Sequence, residues 1–200
     1  MRPTTIMRIF IALDIDDAIR QRIHRFLEGV SGFAPDARWV RPESLHVTLK
    51  FIGEKPIETV EEIKRALSSI RAQPIEISFR GYGFFPTAKA ARVFWVGIES
   101  GPALSSLATA VDETTFALGV PKEDHPFTPH LTLARGGRSG APGRRKEYSP
   151  NKNFQRLQEK LTALPTPDFG TMSAHEFFLY QSQLSPGGSR YTKIGSFPLT

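Results

Sequence analysis

Two periodicities of hydrophobic residues run along this chain, one typical of helices and one typical of strands. The segments 14–30 and 57–70 place apolar residues on one helical face, which predicts two amphipathic helices. Either Asp14 or Asp16 can cap the start of the first helix. The other apolar runs of this half predict strands at 8–14, 44–53, 75–85 and 91–99.

The second half of the chain repeats this mixture of elements. Helices are predicted at 103–118, where Gly119 ends the pattern, and at 153–164. Strands are predicted at 130–135, 174–184 and 190–199, and the turn-forming sequence Ser-Pro-Gly-Gly-Ser joins the last two. Because strands and helices mix without strict β-α-β alternation, we expect an α+β fold with mainly antiparallel sheets. No linker separates two independent units, so we expect residues 1–200 to form one domain.

The composition is that of an ordinary globular protein, with 40% hydrophobic and 23% charged residues among 200. No apolar run approaches the roughly 18 residues that a membrane span needs. The N-terminus has no long apolar segment of the kind found in secretory signals. The chain has no cysteine, which excludes disulfides, thiolate metal sites and a cysteine nucleophile. We therefore expect a cytoplasmic protein without contact to a membrane.

The positive charge is concentrated in one segment of the chain. The formal net charge is +6, and the segment 135–152 contains basic residues, glycines and prolines with a single acid, Glu147. This composition predicts a flexible basic loop over 136–152. Two interpretations stay open, because such a loop either binds a polyanion such as RNA or is simply a solvated surface.

A tetrapeptide of the form His-apolar-Thr-Leu occurs twice, as HVTL at 46–49 and HLTL at 130–133. About 0.03 copies of the His-x-Thr-Leu pattern are expected by chance, so the doubled motif indicates a function. On a strand, alternate side chains share a face. Strict alternation places His46, Thr48 and Lys50 on one face with Phe51 in the core, and places His130 on the same face as Thr132.

Two histidines and two threonines suit the hydrolysis of a phosphodiester. Histidine titrates near neutral pH, so one ring can accept a proton from water while the other donates one to the leaving oxygen. The hydroxyls of Thr48 and Thr132 can hydrogen-bond the non-bridging phosphate oxygens. This chemistry requires neither a metal nor a cofactor, and the sequence contains no metal-binding motif. The residues alone do not decide which of His46 and His130 is the acid.

The sequences around both motifs resemble those of a known superfamily. WVRPESLHVTLKFIGE at 39–54 and FTPHLTLAR at 127–135 resemble the signatures of the 2H phosphoesterases, most closely their bacterial and archaeal RNA 2′,3′-cyclic phosphodiesterases, historically called 2′-5′ RNA ligases. The resemblance covers almost the whole chain. MRIFIALD at 7–14 resembles the usual start of that family, so residues 1–6 are either an extension or the result of an alternative start site. Further matching stretches are GYGFFP at 81–86, RVFWVGI at 92–98 and SQLSPGGSRYTKIGSFPL at 182–199.

The resemblance implies a bilobal, pseudo-twofold fold in which the two motif strands face each other across a central cleft. It implies hydrolysis of 2′,3′-cyclic phosphates to 2′-phosphates, with His46 as proton donor and His130 as proton acceptor. Thr48 and Thr132 would then bind the phosphate. Arg135 closes the second motif, and it reaches the cleft only if the strand bends or ends there, since strict alternation points it away from His130.

These expectations define the function hypotheses. The first is a metal-independent phosphodiesterase acting on RNA with 2′,3′-cyclic phosphate ends or on cyclic nucleotides, with 2′-5′ ligation as its reverse reaction. The alternative is a non-catalytic RNA-binding protein that uses the cleft and the basic loop. In either case we expect a monomer.

Several further residues have two interpretations or no assigned role. Lys50 either contacts phosphate or is solvated. Phe51 and Phe84 either stack on a base or, as we expect, pack in the core. We expect no catalytic role for His24, His125 and His175, although His125 could border the cleft.

Overall fold

The computed structural model describes residues 5–136, 154–185 and 188–200. Within these ranges the chain is an α+β protein, as the sequence predicts, and it has nine strands and four α-helices. In chain order, the elements are β1 (Ile6–Asp14), α1 (Asp17–Val30), β2 (Arg38–Trp39), β3 (His46–Pro56), α2 (Ile57–Leu67), β4 (Ile75–Phe85), β5 (Val93–Ser100), α3 (Pro102–Phe116), β6 (His130–Arg135), α4 (Gln155–Thr162), β7 (Asp168–Ala174), β8 (Glu176–Ser185) and β9 (Gly188–Pro198).

The strands form two antiparallel sheets that repeat one arrangement. The first sheet has the order β3-β1-β8-β9, and the second has the order β2-β6-β5-β4-β7. In the first sheet β3, which begins with His46, pairs with β1, and α1 lies between them in the chain. In the second sheet β6, which begins with His130, pairs with β5, and α3 lies between them in the chain. This repetition agrees with the expected bilobal, pseudo-twofold fold.

One hydrophobic core joins both sheets and their helices. It includes Ile11 of β1 and Val47 of β3 together with Phe94 of β5 and Leu131 of β6, and each of these side chains is fully buried. Alternate residues of β1 contribute to a second, smaller cluster, in which Phe10 packs with neighbouring aromatic side chains of β8. Both faces of β1 are therefore buried, which explains its nearly continuous apolar sequence.

The start of α1 differs from the sequence prediction in one detail. Asp16 occupies the N-cap position, but its side chain makes no capping hydrogen bond. The carboxylate of Asp14 instead accepts hydrogen bonds from the backbone N–H of Ile15 at 2.9 Å and from the Arg20 guanidinium at 2.7 Å. Asp14 thus connects the end of β1 to the first turn of α1.

Two strands escape the sequence analysis. β2 contains only Arg38 and Trp39, and a strand of two residues shows no detectable periodicity of apolar residues. β7 contains Gly170 with φ of 97°, and its pairing with β4 shifts register there, so its apolar residues do not alternate regularly. β3 also continues to Pro56 beyond the predicted end at Gly53.

The predicted extension and the predicted loop lie mostly outside the described residues. Ile6 already belongs to β1, and the carbonyl of Thr5 accepts a hydrogen bond from the Ile57 N–H at 3.0 Å. Of the basic loop 136–152, only Gly136 is described. The extent of the domain over residues 1–200 stays a prediction. In the described ranges, no helix combines the length and the apolar character that crossing a membrane requires.

Candidate active site

The two motif histidines begin their strands and are held in the same way. The Nδ1 atom of His46 lies 2.7 Å from the carbonyl oxygen of Ser44, and the Nδ1 atom of His130 lies 2.9 Å from that of Thr128. A carbonyl oxygen can only accept a hydrogen bond, so Nδ1 carries the proton in both rings. Nε2 is therefore the nitrogen that gains or loses a proton in each imidazole.

Aromatic side chains pack against both imidazoles. The His46 ring centroid lies 4.8 Å from that of Phe10 and 5.2 Å from that of Tyr191, which it meets edge-on. The His130 ring lies 5.1 Å from the Phe85 ring, also at nearly a right angle. These contacts restrict the orientation of both rings and exclude water from part of their surface.

The surroundings lower the pKa of both histidines. Burial is the largest cause for each ring, and the positive charge of Arg135 acts in the same direction on both. The backbone carbonyls that accept the Nδ1 protons raise both pKa values in part, and Asp14 does so for His46. The charge of protonated His130 further lowers the pKa of His46, so the two rings lie within electrostatic reach of each other.

Residues of both motifs line one cavity of about 550 Å³ between the sheets. Thr48 of β3 lies on its wall together with His130, Thr132 and Arg135 of β6. This volume falls in the range of about 300–1,000 Å³ that small-molecule sites occupy. The cavity is therefore large enough for a nucleotide-sized ligand that contacts both motif strands.

A β-bulge in each motif strand changes which residues face the cavity. In β3, Thr48 and Lys50 pair with adjacent residues of β1, which leaves Leu49 as the extra residue. In β6, Leu133 is the extra residue in the pairing with β5. A bulge inserts one residue that has no cross-strand partner. The side chains after it therefore point to the opposite side of the sheet from the one that strict alternation predicts.

The bulge at Leu133 places Arg135 on the cavity wall beside His130 and Thr132. Both expected conditions for Arg135 to reach the cleft are present, because β6 is irregular at Leu133 and ends at Arg135. The bulge at Leu49 has the corresponding effect on Phe51, whose side chain is 55% exposed and lines the same cavity. The expectation that Phe51 packs in the core is therefore wrong, because strict alternation stops at Leu49.

The solvated alternative for Lys50 is wrong, whereas phosphate contact stays a prediction, since Lys50 is among the residues that line the cavity. The residue is only 2% exposed, and its Nζ donates hydrogen bonds to the Asp112 carboxylate of α3 and to the Pro121 carbonyl, the latter at 2.7 Å. The bulge breaks the strict alternation of β3 at Leu49, and the Lys50 ammonium reaches Asp112 of α3 at the cavity wall. Lys50 therefore connects β3 to the segment that follows α3.

The remaining candidate residues have varied positions. Phe84 packs in the core as expected, stacked 5.0 Å from Phe94. His125 borders the cavity, whereas His24 is exposed on α1 and His175 lies between β7 and β8. Phe85 lines the cavity but escapes the sequence analysis, because nothing in the local pattern distinguishes it from Phe84. Among the described residues, no three histidine, aspartate or glutamate side chains cluster closely enough to hold a metal ion.

Known proteins similar to this chain share its length and its fold. The family model described as LigT-like phosphoesterase matches residues 13–95. The RNA 2′,3′-cyclic phosphodiesterase of Archaeoglobus fulgidus is 35% identical over 96% of this chain and 99% of the relative. The protein of the same name from Methanothermobacter thermautotrophicus is 32% identical over 96% of this chain and 99% of its own.

Solved structures show the same similarity in three dimensions. The crystal structure of Escherichia coli LigT complexed with 3′-AMP superposes with a TM-score of 0.77 at 27% identity, covering 98% of this chain and 99% of that one. The crystal structure of a Thermus thermophilus protein, TT0787, has a TM-score of 0.72 at 28% identity, covering 96% of this chain and 98% of that one.

Proposed function

This chain belongs to the 2H phosphoesterase superfamily, in its branch of RNA 2′,3′-cyclic phosphodiesterases, and on that premise we propose that it hydrolyses 2′,3′-cyclic phosphates at RNA ends and in nucleotides. The product is a 2′-phosphate. Relatives that match nearly the whole chain are named RNA 2′,3′-cyclic phosphodiesterase, and the cavity between the sheets has room for a nucleotide.

The observation that carries the proposal is the matched pair of imidazoles. Each ring donates its Nδ1 proton to a carbonyl two residues earlier, and each is followed two residues later by a threonine. Such a pair supplies one proton acceptor and one proton donor to a single phosphorus atom. Burial and Arg135 lower the pKa of both rings, which favours the neutral form that can accept a proton.

The proposed reaction moves one proton through each histidine. Nε2 of His130 accepts a proton from water while the water oxygen attacks phosphorus. The bond between phosphorus and the 3′ oxygen breaks, and Nε2 of His46 donates a proton to that oxygen. Thr48, Thr132 and Arg135 stabilise the negative charge on the non-bridging oxygens during this step.

The order of the two histidines follows the family resemblance, and the surroundings of the two rings differ in one carboxylate. Asp14 is the residue of β1 that pairs with His46, and its negative charge raises the pKa of His46 in part. Among the described residues, no carboxylate raises the pKa of His130 in the same way. The Asp14 carboxylate offsets only part of the lowering by burial and by Arg135, and the pKa of His46 stays below its ordinary value.

The cavity also offers a surface for a base. The exposed ring of Phe51 and the ring of Phe85 lie on the same cavity that contains Thr48 and His130. Aromatic rings stack on nucleobases without strong sequence preference. We therefore propose that the terminal base stacks on Phe51.

A hydrolysis assay tests the proposal. The chain is incubated with a nucleoside 2′,3′-cyclic phosphate in the presence of EDTA, and phosphorus NMR identifies the product. We expect a 2′-phosphate, formed at an undiminished rate because no step uses a metal. His46→Ala and His130→Ala should each lower kcat by about 10²–10⁴-fold, the usual contribution of a general acid or base.

Two outcomes would contradict the proposal. Loss of activity in EDTA would exclude the metal-independent mechanism, and a 3′-phosphate product would reverse the assignment of the leaving oxygen. Activity absent from the unmodified chain, combined with RNA binding that survives His46→Ala, would favour the non-catalytic RNA-binding alternative. His24→Ala, on the exposed face of α1, is the matched control and should leave the rate unchanged.

Three further predictions concern the setting of this activity. A monomeric state, a cytoplasmic location and reverse 2′-5′ ligation each stay predictions. Ligation would use an RNA 5′-hydroxyl in place of water at the same phosphorus atom.

A further inference from the structure

Two arginines lie directly opposite each other at the edge of the second sheet. Arg38 of β2 is the cross-strand partner of Arg135 of β6 in their antiparallel pairing. Residues that face each other in this way share one side of the sheet, and like charges in such pairs destabilise it. Within the described ranges, neither guanidinium forms a salt bridge or a side-chain hydrogen bond that would offset this repulsion.

The two arginines line a second cavity, of about 210 Å³. Its wall also includes Arg41, Ser44, Ser189 and Tyr191. The volume is below the roughly 300 Å³ at which sites for whole small molecules begin. A cavity of this size and charge suits a single phosphate group, which arginine binds through paired N–H donors.

This second cavity adjoins the candidate active site on the side of His46. Arg135 lines both cavities. The Tyr191 ring packs 5.2 Å from the His46 ring, and the Ser44 carbonyl accepts the His46 Nδ1 proton. The two cavities therefore share Arg135, and the smaller one is lined by two residues, Ser44 and Tyr191, that contact His46.

We propose that the cavity around Arg38 and Arg135 binds the 5′-phosphate of the terminal nucleotide, which in RNA links that nucleotide to the preceding one. This inference rests on the proposed function and names a substrate preference within it. The terminal nucleoside occupies the larger cavity, its cyclic phosphate lies between the two histidines, and its 5′-phosphate neutralises the arginine pair. The protein then prefers RNA ends over isolated cyclic nucleotides.

A kinetic comparison of two substrates tests this assignment. One is a nucleoside 2′,3′-cyclic phosphate, and the other is a dinucleotide ending in the same cyclic nucleotide. Arg38→Ala should lower kcat/KM for the dinucleotide by about tenfold, mainly by raising KM. This loss is at the low end of the range for hydrogen bonds to charged groups, because Arg38 is exposed. The loss for the mononucleotide should stay below about twofold, since it lacks the second phosphate.

Arg65→Ala is the matched control, because Arg65 is an exposed arginine on α2 that lines neither cavity. It should change neither substrate's kcat/KM. Arg38→Lys retains the charge and should recover part of the dinucleotide preference. Equal losses for both substrates, or no loss for either, would overturn the inference.

A binding measurement separates this inference from the proposed function. Isothermal titration compares adenosine 2′,5′-bisphosphate with adenosine 2′-monophosphate, neither of which is hydrolysed in the proposed reaction. We expect the bisphosphate to bind more tightly, and Arg38→Ala to remove that difference. Equal affinities in the unmodified protein would overturn the 5′-phosphate site even if hydrolysis is observed, whereas absent hydrolysis with a clear difference in affinity would contradict only the proposed reaction.

Discussion

Arg135 influences the ionisation of both motif histidines. Burial is the largest cause of their lowered pKa values, and the charge of Arg135 adds to it at each ring. Replacing Arg135 by glutamine removes that charge and so raises both pKa values. The remaining shift from burial should persist, because the aromatic contacts of the rings do not involve Arg135.

This leads to a prediction about pH dependence. Plots of kcat/KM against pH should be bell-shaped, with limbs set by the two histidines, and the acidic limb should lie below the ordinary histidine pKa of about 6.5. Arg135→Gln should move both limbs to higher pH and also lower the maximum, while Arg135→Lys should leave their positions nearly unchanged. A lower maximum with unmoved limbs would show that Arg135 contacts substrate without affecting either histidine.

Phe51 and Lys50 show how one residue decides the facing of its neighbours. Without the extra residue at Leu49, Lys50 would lie on the face of His46 and Phe51 would enter the core. The bulge exchanges the two, so the aromatic ring faces the cavity and the ammonium is buried with Asp112. Two adjacent residues of β3 therefore differ in exposure, because Phe51 is exposed at the cavity and Lys50 is buried.

Among the elements, β3 and α3 are linked by this buried ion pair. Asp112 accepts a hydrogen bond from Lys50 and another, at 3.3 Å, from the backbone N–H of Glu123. The segment from Glu123 to Thr128 includes residues of the cavity wall. The ion pair therefore holds β3, α3 and one wall of the cavity in a fixed relation.

Removing this lysine should be costly. Lys50→Ala leaves the Asp112 carboxylate without its partner, and we expect a loss of about 3 kcal/mol in the free energy of unfolding, measured by urea titration. Lys64→Ala is the control, because Lys64 pairs with Glu61 on the exposed face of α2 and should cost at most about 0.5 kcal/mol. Similar losses for the two variants would show that the Lys50 pair contributes no more than a surface contact.

At the scale of the whole molecule, the site exists only because two similar halves pack together. β3 belongs to the first sheet and β6 to the second, and each supplies one histidine and one threonine. The shared core holds both strands beside one cavity, whose wall includes residues of each. Catalysis by the pair should therefore depend on global folding rather than on either half alone.

The basic segment adds a prediction at this scale, based on its composition. Deleting residues 138–146 removes four basic residues, Arg138, Arg144, Arg145 and Lys146. If they neutralise RNA phosphates, the slope of log affinity against log salt should become shallower by about 0.7 for each phosphate that the shortened protein no longer neutralises, measured with single-stranded RNA. Hydrolysis of a cyclic mononucleotide should be unaffected, and an unchanged slope would identify the segment as a solvated surface.

Local sequence pattern was sufficient for the regular elements and for the identity of the candidate site residues. Helical and strand periodicities depend on a few neighbouring residues, so the predicted helices and most strands agree with the structure. The doubled His-apolar-Thr-Leu motif indicated His46, His130, Thr48 and Thr132 for the same reason, because two-residue spacing on a strand fixes a shared face.

Only the tertiary structure decided where the residues beyond each motif face. The bulges at Leu49 and Leu133 arise in the pairing of β3 with β1 and of β6 with β5, and that pairing is not encoded in the motif strand itself. The pairing of Arg38 with Arg135 likewise joins residues 97 positions apart through a two-residue strand. Which side of the sheet a side chain points to, and which charges lie opposite each other, depend on the partner strand. They are therefore decided by the tertiary structure and not by the local sequence.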